Sequence, residues 1–249
     1  MRTESDFREP GKRVALVTGS SQGIGRSIAE GFAALGVRVA LHYNQSRQSA
    51  LDLSAKLPGS HIYQSDFSQE GTVASLIGAV LQDYGRIDFL INNAGLLVGS
   101  TTETTKLDDW LLTLRVNLTA PFLLAQEALR PMKEQGGGAI VNVASIAGLT
   151  GGNFGPGYAA AKAGLIGLTK YLARDCAKFG VRINAVAPTL TDTSLIQQPA
   201  VATLARAVLA ANPMQRLARP DEIASVVIFL CSDGASFING ECVRVAGGA

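Results

Sequence analysis

Residues 13–25 read RVALVTGSSQGIG, a short apolar run that leads into a turn with three glycines. The run Arg13–Val17 predicts a β-strand, and the pattern Arg26–Leu35 predicts the helix after it. Glycines allow a sharp turn and a close backbone approach to a pyrophosphate, which the N–H groups at the helix N-terminus would bind. Such a turn can be merely structural, but its position between strand and helix favours a nucleotide site. The residues expected to contact the nucleotide are Gly19, Ser21, Gln22, Gly23, Ile24 and Gly25.

The same alternation of strand and helix continues along the chain. Helical patterns such as Thr72–Tyr84 and Leu107–Met132 separate the further apolar runs. The six further predicted strands are Val37–His42, His61–Gln64, Asp88–Asn92, Ala139–Ala144, Val181–Ala187 and Cys242–Val245. Because strand–helix–strand crossovers are almost always right-handed, this order predicts an α/β, doubly wound Rossmann-like domain. A seven-stranded parallel sheet would carry helices on both faces and bind its ligand outside the carboxyl ends of the strands.

Composition favours one domain over residues 12–249, since no linker or charge block divides the chain. Residues 1–11 lack apolar periodicity and are expected to form a flexible extension. The formal net charge of +2 offers no strong field for nucleic acid or an anionic membrane. The charged start has no signal-peptide core and no run is long enough to span a bilayer, so a cytoplasmic location is expected.

The three cysteines, Cys176, Cys231 and Cys242, are odd in number and lack the spacing of a zinc site. A disulfide framework is therefore disfavoured, and we expect reduced, buried thiols.

The end of the second predicted strand bears on the choice of cofactor. Residues 41–47 read LHYNQSR and contain no acidic residue. A carboxylate here would hold the ribose hydroxyl of NAD and repel the 2′-phosphate of NADP, whereas Asn44, Ser46 and Arg47 could bind that phosphate. With Tyr43 as a further contact, NADP(H) is favoured over NAD(H). Arg47 could equally be a solvated residue that opens the next helix.

Two more segments at strand ends fit the adenosine half of a dinucleotide. Asp66 and Phe67 follow the third strand, and a carboxylate there could accept a hydrogen bond from the adenine amino group. Asp66 could also be an ordinary N-cap of a helix beginning near Ser68. After the fourth strand, the run Asn92-Asn93-Ala94-Gly95 permits close backbone approach; its expected cofactor contacts are Asn93, Ala94 and Gly95.

Four polar residues form a candidate catalytic set. Tyr158 and Lys162 lie four apart in a helical pattern and so share one helix face, while Ser145 ends the fifth strand. We expect the Lys162 ammonium to lower the pKa of Tyr158, so that the phenol can protonate a carbonyl oxygen that Ser145 orients. Lys162 could also hold the nicotinamide ribose, and Asn117 a water that resupplies protons. Each residue alone has an ordinary explanation as an exposed pair, a cap or a helix bend.

Together these motifs resemble the short-chain dehydrogenase/reductase family, over Lys12–Gly248. The shared motifs are TGSSQGIG, NNAG, Asn117, Ser145, YAAAK (residues 158–162) and VAP (residues 186–188). The single-domain branch is the most similar, in particular the 3-oxoacyl-[acyl-carrier-protein] reductases.

The resemblance implies roles for individual residues. Asn117, Ser145, Tyr158 and Lys162 would form a catalytic tetrad that needs no metal. Tyr158 and Lys162 would also contact the cofactor, together with Pro188 and Thr191. A homotetramer or dimer is implied as well. The chain departs from the common pattern where Thr189 replaces a glycine and where Gln22 replaces a basic residue of many NADP(H) users.

The expected substrate walls are Leu96–Thr105, Gly148–Gly157 and Thr189–Arg216, the last with a helical pattern over Ala200–Ala211. The first two contain no Arg, Lys or His, which disfavours a small carboxylate gripped by arginine. The apolar residues that line these walls are Leu96, Leu97, Leu149 and Phe154. We therefore expect an NADPH-dependent reductase of a small, neutral or partly apolar ketone.

Several alternatives stay open. Carrier-protein reductases dock their acidic partner with arginines, and the corresponding stretches Gln135–Gly138 and Lys178–Gly180 carry little charge. A carrier-protein reductase, an NAD-linked alcohol or sugar dehydrogenase and a non-catalytic nucleotide-binding scaffold remain possible. A serine hydrolase is disfavoured, because Ser145 lacks a GxSxG elbow and both histidines, His42 and His61, lie on predicted strands.

Overall fold

The structure is a computed structural model that describes residues 7, 9–193, 209–210 and 212–249. Its seven strands form one parallel sheet in the order β3-β2-β1-β4-β5-β6-β7, which confirms the doubly wound prediction. The strands are β1 Val14–Val17, β2 Arg38–Tyr43, β3 His61–Gln64, β4 Phe89–Asn92, β5 Gly138–Val143, β6 Val181–Pro188 and β7 Cys242–Val245. The chain leaves β1 toward β2 on one side and returns to β4 on the other, so a crevice opens at the carboxyl ends of β1 and β4.

Helices cover both faces of the sheet. They are α1 Gly23–Ala34, α2 Arg47–Ser54, α3 Thr72–Tyr84, α4 Leu107–Leu114, α5 Ala120–Glu134, α6 Ala147–Thr150, α7 Pro156–Cys176 and α8 Pro220–Cys231. Successive strand residues point to opposite faces. In β1, Ala15 and Val17 therefore pack with Phe32 of α1 and Ile228 of α8, whereas Leu16 packs with the cluster around α3, α5 and α7. The five inner strands are buried on both faces, as their apolar sequences require, whereas the edge strands β3 and β7 are only partly buried.

The predicted helix Leu107–Met132 is not one regular helix. A π-helical segment, Arg115–Thr119, separates α4 from α5. Pro121 has no N–H with which to continue the regular ladder to the carbonyl of Asn117, which favours a change of winding at this point. Asn117 lies at the centre of the widened segment.

The N-terminal extension departs from its prediction at Phe7. This side chain is only 4 % exposed, and its ring lies 5.4 Å from that of Phe89 and 6.2 Å from that of Phe32. A short 3₁₀ helix, Pro10–Lys12, then leads into β1. The chain is thus attached to the core before residue 12. Burial of one aromatic ring is strongly favourable, and a single buried residue in a short polar segment leaves no periodic pattern in the sequence. Residues 1–6 and 8 lie outside the described part.

Cys176, Cys231 and Cys242 are free thiols, the first two buried. Across the described ranges, no group of three or more His, Cys, Asp or Glu side chains is arranged to hold a metal ion. Nor is any helix in those ranges both long and apolar enough to cross a membrane.

Candidate active site

The glycine turn after β1 is held from both neighbouring strands. From the β4 side, the Asn93 side-chain amide donates to the carbonyl oxygens of Thr18 and Gly19, at 2.8 and 3.1 Å. The Thr18 hydroxyl accepts hydrogen bonds from the N–H groups of Asn93 and Ala94, both at 2.9 Å. Asn93 and Ala94 therefore fix the shape of the turn, a role that sequence reasoning did not assign to them.

On the β2 side the turn is held by His42, which sequence reasoning treated as an ordinary strand residue. The Gly19 N–H donates to His42 Nδ1 at 3.0 Å, and the Ser20 N–H donates to the His42 carbonyl oxygen at 2.9 Å. His42 Nε2 lies 3.0 Å from the carbonyl oxygen of Ser65. Burial lowers the pKa of His42 to about 4, so the imidazole is neutral at physiological pH. No local sequence signal identifies this role, because the partners are distant in the chain.

Two glycines of the turn cannot carry a side chain. Gly19 has φ 63°, and a Cβ there would lie 3.0 Å from the Ala94 Cα. A Cβ on Gly25, in the first turn of α1, would lie 2.3 Å from the Gly19 carbonyl oxygen and 2.5 Å from Asn93 Nδ2. The N-terminus of α1 is thus pressed directly against the turn. Helix α1 begins at Gly23 with Gln22 as its N-cap, and its first N–H groups have no partners within the helix.

The expected 2′-phosphate contacts stand together where β2 ends. Tyr43 is the last residue of β2 and is buried, whereas Asn44 is exposed and Ser46 partly buried. Arg47 is exposed and is the first residue of α2. No acidic side chain occurs among these residues, so the local chemistry accommodates an anion.

The residues after β3 have defined local partners. Phe67 is buried and stacks on the His42 ring, with centroids 4.5 Å apart and planes 9° apart. The Asp66 carboxylate accepts a hydrogen bond from the Ser68 N–H at 2.9 Å. The alternative that Asp66 caps a helix beginning near Ser68 is wrong, since α3 begins at Thr72 with Gly71 as its N-cap. Asp66 instead closes a turn before that helix.

Three of the four candidate catalytic residues meet in one cavity of about 200 Å³. Its walls include Ser145, Tyr158 and Lys162 together with predicted cofactor contacts from three other segments. Those contacts are Ile24, Asn93, Gly95, Pro188 and Thr191. Residues far apart in the sequence thus converge at the carboxyl ends of β1, β4, β5 and β6.

Packing of α6 against α7 brings Ser145 to Tyr158. A Cβ on Gly148 of α6 would lie 2.6 Å from the Lys162 carbonyl carbon, so the two helices are in direct contact. The side chain of Ser145, just before α6, lies close enough to the Tyr158 hydroxyl, on the first turn of α7, to lower the pKa of Tyr158. A single ligand oxygen could therefore reach both hydroxyl groups.

Asn117 stands behind the cavity. Its side chain donates to the carbonyl oxygen of Leu96 at 2.8 Å and accepts from the Leu96 N–H at 3.2 Å. A Cβ on Gly95 would lie 3.0 Å from Asn117 Oδ1 and 3.8 Å from Lys162 Nζ. Asn117 therefore holds the backbone after β4 against the lysine.

The Tyr158 pKa does not follow the prediction. Burial raises the pKa of Tyr158, and the hydrogen bond with Ser145 opposes this increase only in part. Lys162 Nζ donates to the carbonyl oxygen of Val143 at 2.8 Å and lies 5.7 Å from the centre of the Tyr158 ring. Burial lowers the pKa of Lys162 to about 8. The expected acidification of the phenol by Lys162 is thus wrong for the protein alone, in which Tyr158 keeps its proton.

A second cavity, of about 380 Å³, shares Ser145 and Thr189 with the first. Phe154, one of the expected apolar wall residues, lines it, and Leu96 and Leu97 line the first cavity. Leu149 is 44 % exposed and lines neither. The expected helical pattern Ala200–Ala211 lies almost entirely outside the described residues.

The chain is similar to known oxidoreductases over almost its whole length. A family model described as enoyl-(acyl carrier protein) reductase matches residues 19–249. A D-threitol dehydrogenase of Mycolicibacterium smegmatis is 38 % identical over 252 residues, which covers 100 % of this chain and 96 % of the relative. The 3-oxoacyl-[acyl-carrier-protein] reductase FabG of Salmonella typhimurium is 38 % identical over 240 residues, covering 95 % of this chain and 96 % of FabG.

The fold is shared with a solved structure. A crystal structure of gox2181 superimposes with a TM-score of 0.91 at 33 % sequence identity, covering 98 % of this chain and 97 % of that one. With the family model, the full-length relatives and the observed sheet order in agreement, the chain belongs to the short-chain dehydrogenase/reductase family of oxidoreductases.

Proposed function

We propose that this protein is an NADPH-dependent reductase of a small, neutral or partly apolar ketone. One observation carries the proposal. Ser145, Tyr158 and Lys162 line the same cavity as Ile24, which lies in the first turn of α1. A proton donor and a dinucleotide-binding helix end thus share one compartment, as hydride transfer to a carbonyl requires.

The residues present fit a nicotinamide dinucleotide. Gly19, Gly23 and Gly25 leave room for the backbone to approach a pyrophosphate, and the α1 N-terminus supplies N–H donors. Asn44, Ser46 and Arg47 would hold a 2′-phosphate, and Asp66 the adenine amino group. Pro188 and Thr191 would meet the nicotinamide. The bound cofactor would supply the hydride.

The chain's own residues would manage the proton. A ketone oxygen within reach of both hydroxyl groups would accept hydrogen bonds from Ser145 and Tyr158. As negative charge develops on that oxygen, Tyr158 donates its proton, and its raised pKa keeps the proton in place until then. Lys162, held by Val143, would bind the ribose hydroxyls and orient the cofactor.

Steady-state turnover on a panel of ketones, with NADPH and NADH in parallel, tests this function. We expect reduction of neutral ketones with a higher kcat/KM for NADPH than for NADH. An absence of turnover on every ketone, despite cofactor binding, would favour the non-catalytic scaffold.

The second candidate is NAD-linked oxidation of a sugar alcohol. The full-length similarity to a D-threitol dehydrogenase favours it, since that relative is named for a polyol. Reduction of a carrier-protein-bound ketone is a further alternative, in view of the similarity to FabG. Two assays separate these three candidate functions. Oxidation of polyols with NAD⁺ would favour the sugar-alcohol dehydrogenase, and faster reduction of a carrier-protein thioester than of the free ketone would favour the carrier-protein reductase.

We also propose a homotetramer or dimer. Leu107 and Leu111 on α4, and Phe122 and Leu123 on α5, are large apolar side chains exposed on neighbouring helices. Such a patch is typical of a surface covered by another protein copy. Light scattering coupled to size-exclusion chromatography measures the assembly, and Leu111→Glu should reduce its mass.

A further inference from the structure

The side chain of His42 joins two segments that the proposed function assigns to different parts of one ligand. His42 Nδ1 accepts a hydrogen bond from the Gly19 N–H of the glycine turn, at 3.0 Å. On the opposite side of the ring, Nε2 lies 3.0 Å from the Ser65 carbonyl oxygen, directly before Asp66. One side chain thus spans the ends of β1 and β3, across β2.

The two partners determine the tautomer of the ring. A backbone N–H can only donate, so Nδ1 must be the unprotonated acceptor. A carbonyl oxygen can only accept, so Nε2 must carry the proton. The ring is 2 % exposed and is stacked on Phe67, so water cannot replace either partner. The arrangement therefore requires one specific neutral form of histidine.

The bond to Gly19 also constrains the backbone that faces the cavity. Gly19 has a positive φ of 63°, and Asn93 holds its carbonyl oxygen from the β4 side. With the N–H held by His42 and the carbonyl held by Asn93, both peptide groups that flank the Gly19 Cα are fixed in orientation. The position of the next residues, up to the start of α1 at Gly23, depends on that orientation.

We infer that His42 is a positioning residue for the dinucleotide, which sets the glycine turn of the pyrophosphate subsite, while the Ser65 carbonyl oxygen holds the ring in the tautomer that accepts from Gly19. This inference rests on the proposed function. His42 would touch neither the cofactor nor the substrate, and its effect would appear in cofactor affinity alone. In the proposed function, ketone binding and the chemical step take place at Ser145 and Tyr158. These residues lie beyond β4, on the opposite side of β1 from His42.

Three substitutions at His42 separate its two hydrogen bonds. His42→Asn retains an acceptor near the position of Nδ1, His42→Gln retains a donor near that of Nε2, and His42→Leu retains neither. If the Gly19 bond sets the turn, His42→Gln and His42→Leu raise the Kd for NADPH about tenfold, the equivalent of one lost hydrogen bond to a buried group. His42→Asn should stay within about twofold of the wild-type Kd, since its acceptor is retained. At saturating NADPH, kcat and the ketone KM should be unchanged in all three.

The matched control is His61→Asn, a change of the second histidine, whose side chain is 57 % exposed. It should leave the Kd unchanged. Equal Kd values for the wild type and His42→Leu would overturn the inference, as would equal losses in His42→Asn and His42→Gln, which indicate packing alone. A wild-type protein that binds neither NADPH nor NADH would instead reject the proposed function itself.

A measurement on the unmodified protein covers the case in which the variants do not fold. The ¹⁵N NMR shifts of the two imidazoles, assigned with His61→Asn, report the protonation of each ring nitrogen. We expect His42 to show a protonated Nε2 and an unprotonated Nδ1 at neutral pH. The opposite tautomer, or a doubly protonated ring, would exclude the bond from Gly19.

Discussion

The Lys162 ammonium donates a hydrogen bond to the carbonyl oxygen of Val143, at 2.8 Å. This bond joins helix α7 to the last residue of β5, at the carboxyl ends of the strands, where the cavity lies. Lys162 is only 4 % exposed, and burial lowers its pKa to about 8. The Lys162 side chain is therefore held in one position at the bottom of the cavity. Because Tyr158 lies one turn earlier on the same helix, the bond to Val143 also fixes the position of the Tyr158 backbone.

Tyr158→Phe should reduce kcat on any ketone substrate about 10²- to 10⁴-fold, the usual contribution of a positioned general acid. The Kd for NADPH should stay nearly unchanged, because the substitution removes only the hydroxyl group. Steady-state turnover and a nicotinamide fluorescence titration measure the two effects. Comparable turnover in the variant would reject Tyr158 as the proton donor.

Arg47→Ala should raise the KM for NADPH about tenfold while changing the KM for NADH little, since a charged hydrogen bond to the 2′-phosphate would be lost. The effect should shrink at high salt, because Arg47 is exposed. Lys56→Ala, at another exposed cation, serves as the control. An unchanged ratio of the two KM values would move the phosphate contact elsewhere or favour NAD(H).

Gly25→Ala should lower the free energy of unfolding by about 1–3 kcal/mol, because overpacking displaces neighbouring backbone. The added Cβ would meet the Gly19 carbonyl oxygen at 2.3 Å, so cofactor affinity should fall as well. Gly78→Ala is the matched control: Gly78 lies on an exposed part of α3 with no atom within 4 Å of a Cβ. That change should stabilise the protein by about 0.5–1 kcal/mol. Chemical denaturation of both variants measures the difference, and a Gly25→Ala protein as stable as the wild type would contradict the close contact.

The His42 pKa predicts a specific loss of stability in acid. The folded value, about 4, lies below the ordinary value of 6.5, so the unfolded chain takes up a proton first as the pH falls. The contribution of His42 to stability is therefore complete above pH 6.5 and declines toward pH 4, by about 3 kcal/mol in total.

Urea denaturation of the wild type and His42→Asn across this pH range isolates that contribution, since all other groups titrate in both proteins. The wild type should lose more stability than the variant between pH 7 and pH 4.5. Parallel pH profiles would contradict the buried, neutral histidine.

The sequence predicted the sheet well because most of its strands are apolar or β-branched runs bounded by turn residues. The bounds of β3, β7 and α3 agree with the predicted ones, and β1 differs only at Arg13. The sequence also predicted that Ser145, Tyr158 and Lys162 would lie close together, and they line one cavity. That prediction rested on the position of Ser145 at the end of a strand, on the four-residue spacing of Tyr158 and Lys162, and on the family resemblance.

Features that depend on contacts across the chain were missed. The partners of His42 lie 23 residues away on each side in sequence, so no local pattern marks them. The direction of the Tyr158 pKa was wrong because burial, which depends on the completed fold, outweighs the effect expected of the lysine. The π-helical segment escaped detection because its apolar spacing resembles that of a regular helix.

That segment, Arg115–Thr119, constrains how this region can change in length. Loss of one residue there would restore regular winding and keep α5 nearly in phase with α4, because five π-helical residues turn the chain about as far as four α-helical ones. The change would instead fall on Asn117 at the centre of the segment, whose amide would lose its position against Leu96. Insertions and deletions should therefore be tolerated in surface loops of this enzyme long before they are tolerated in these five residues.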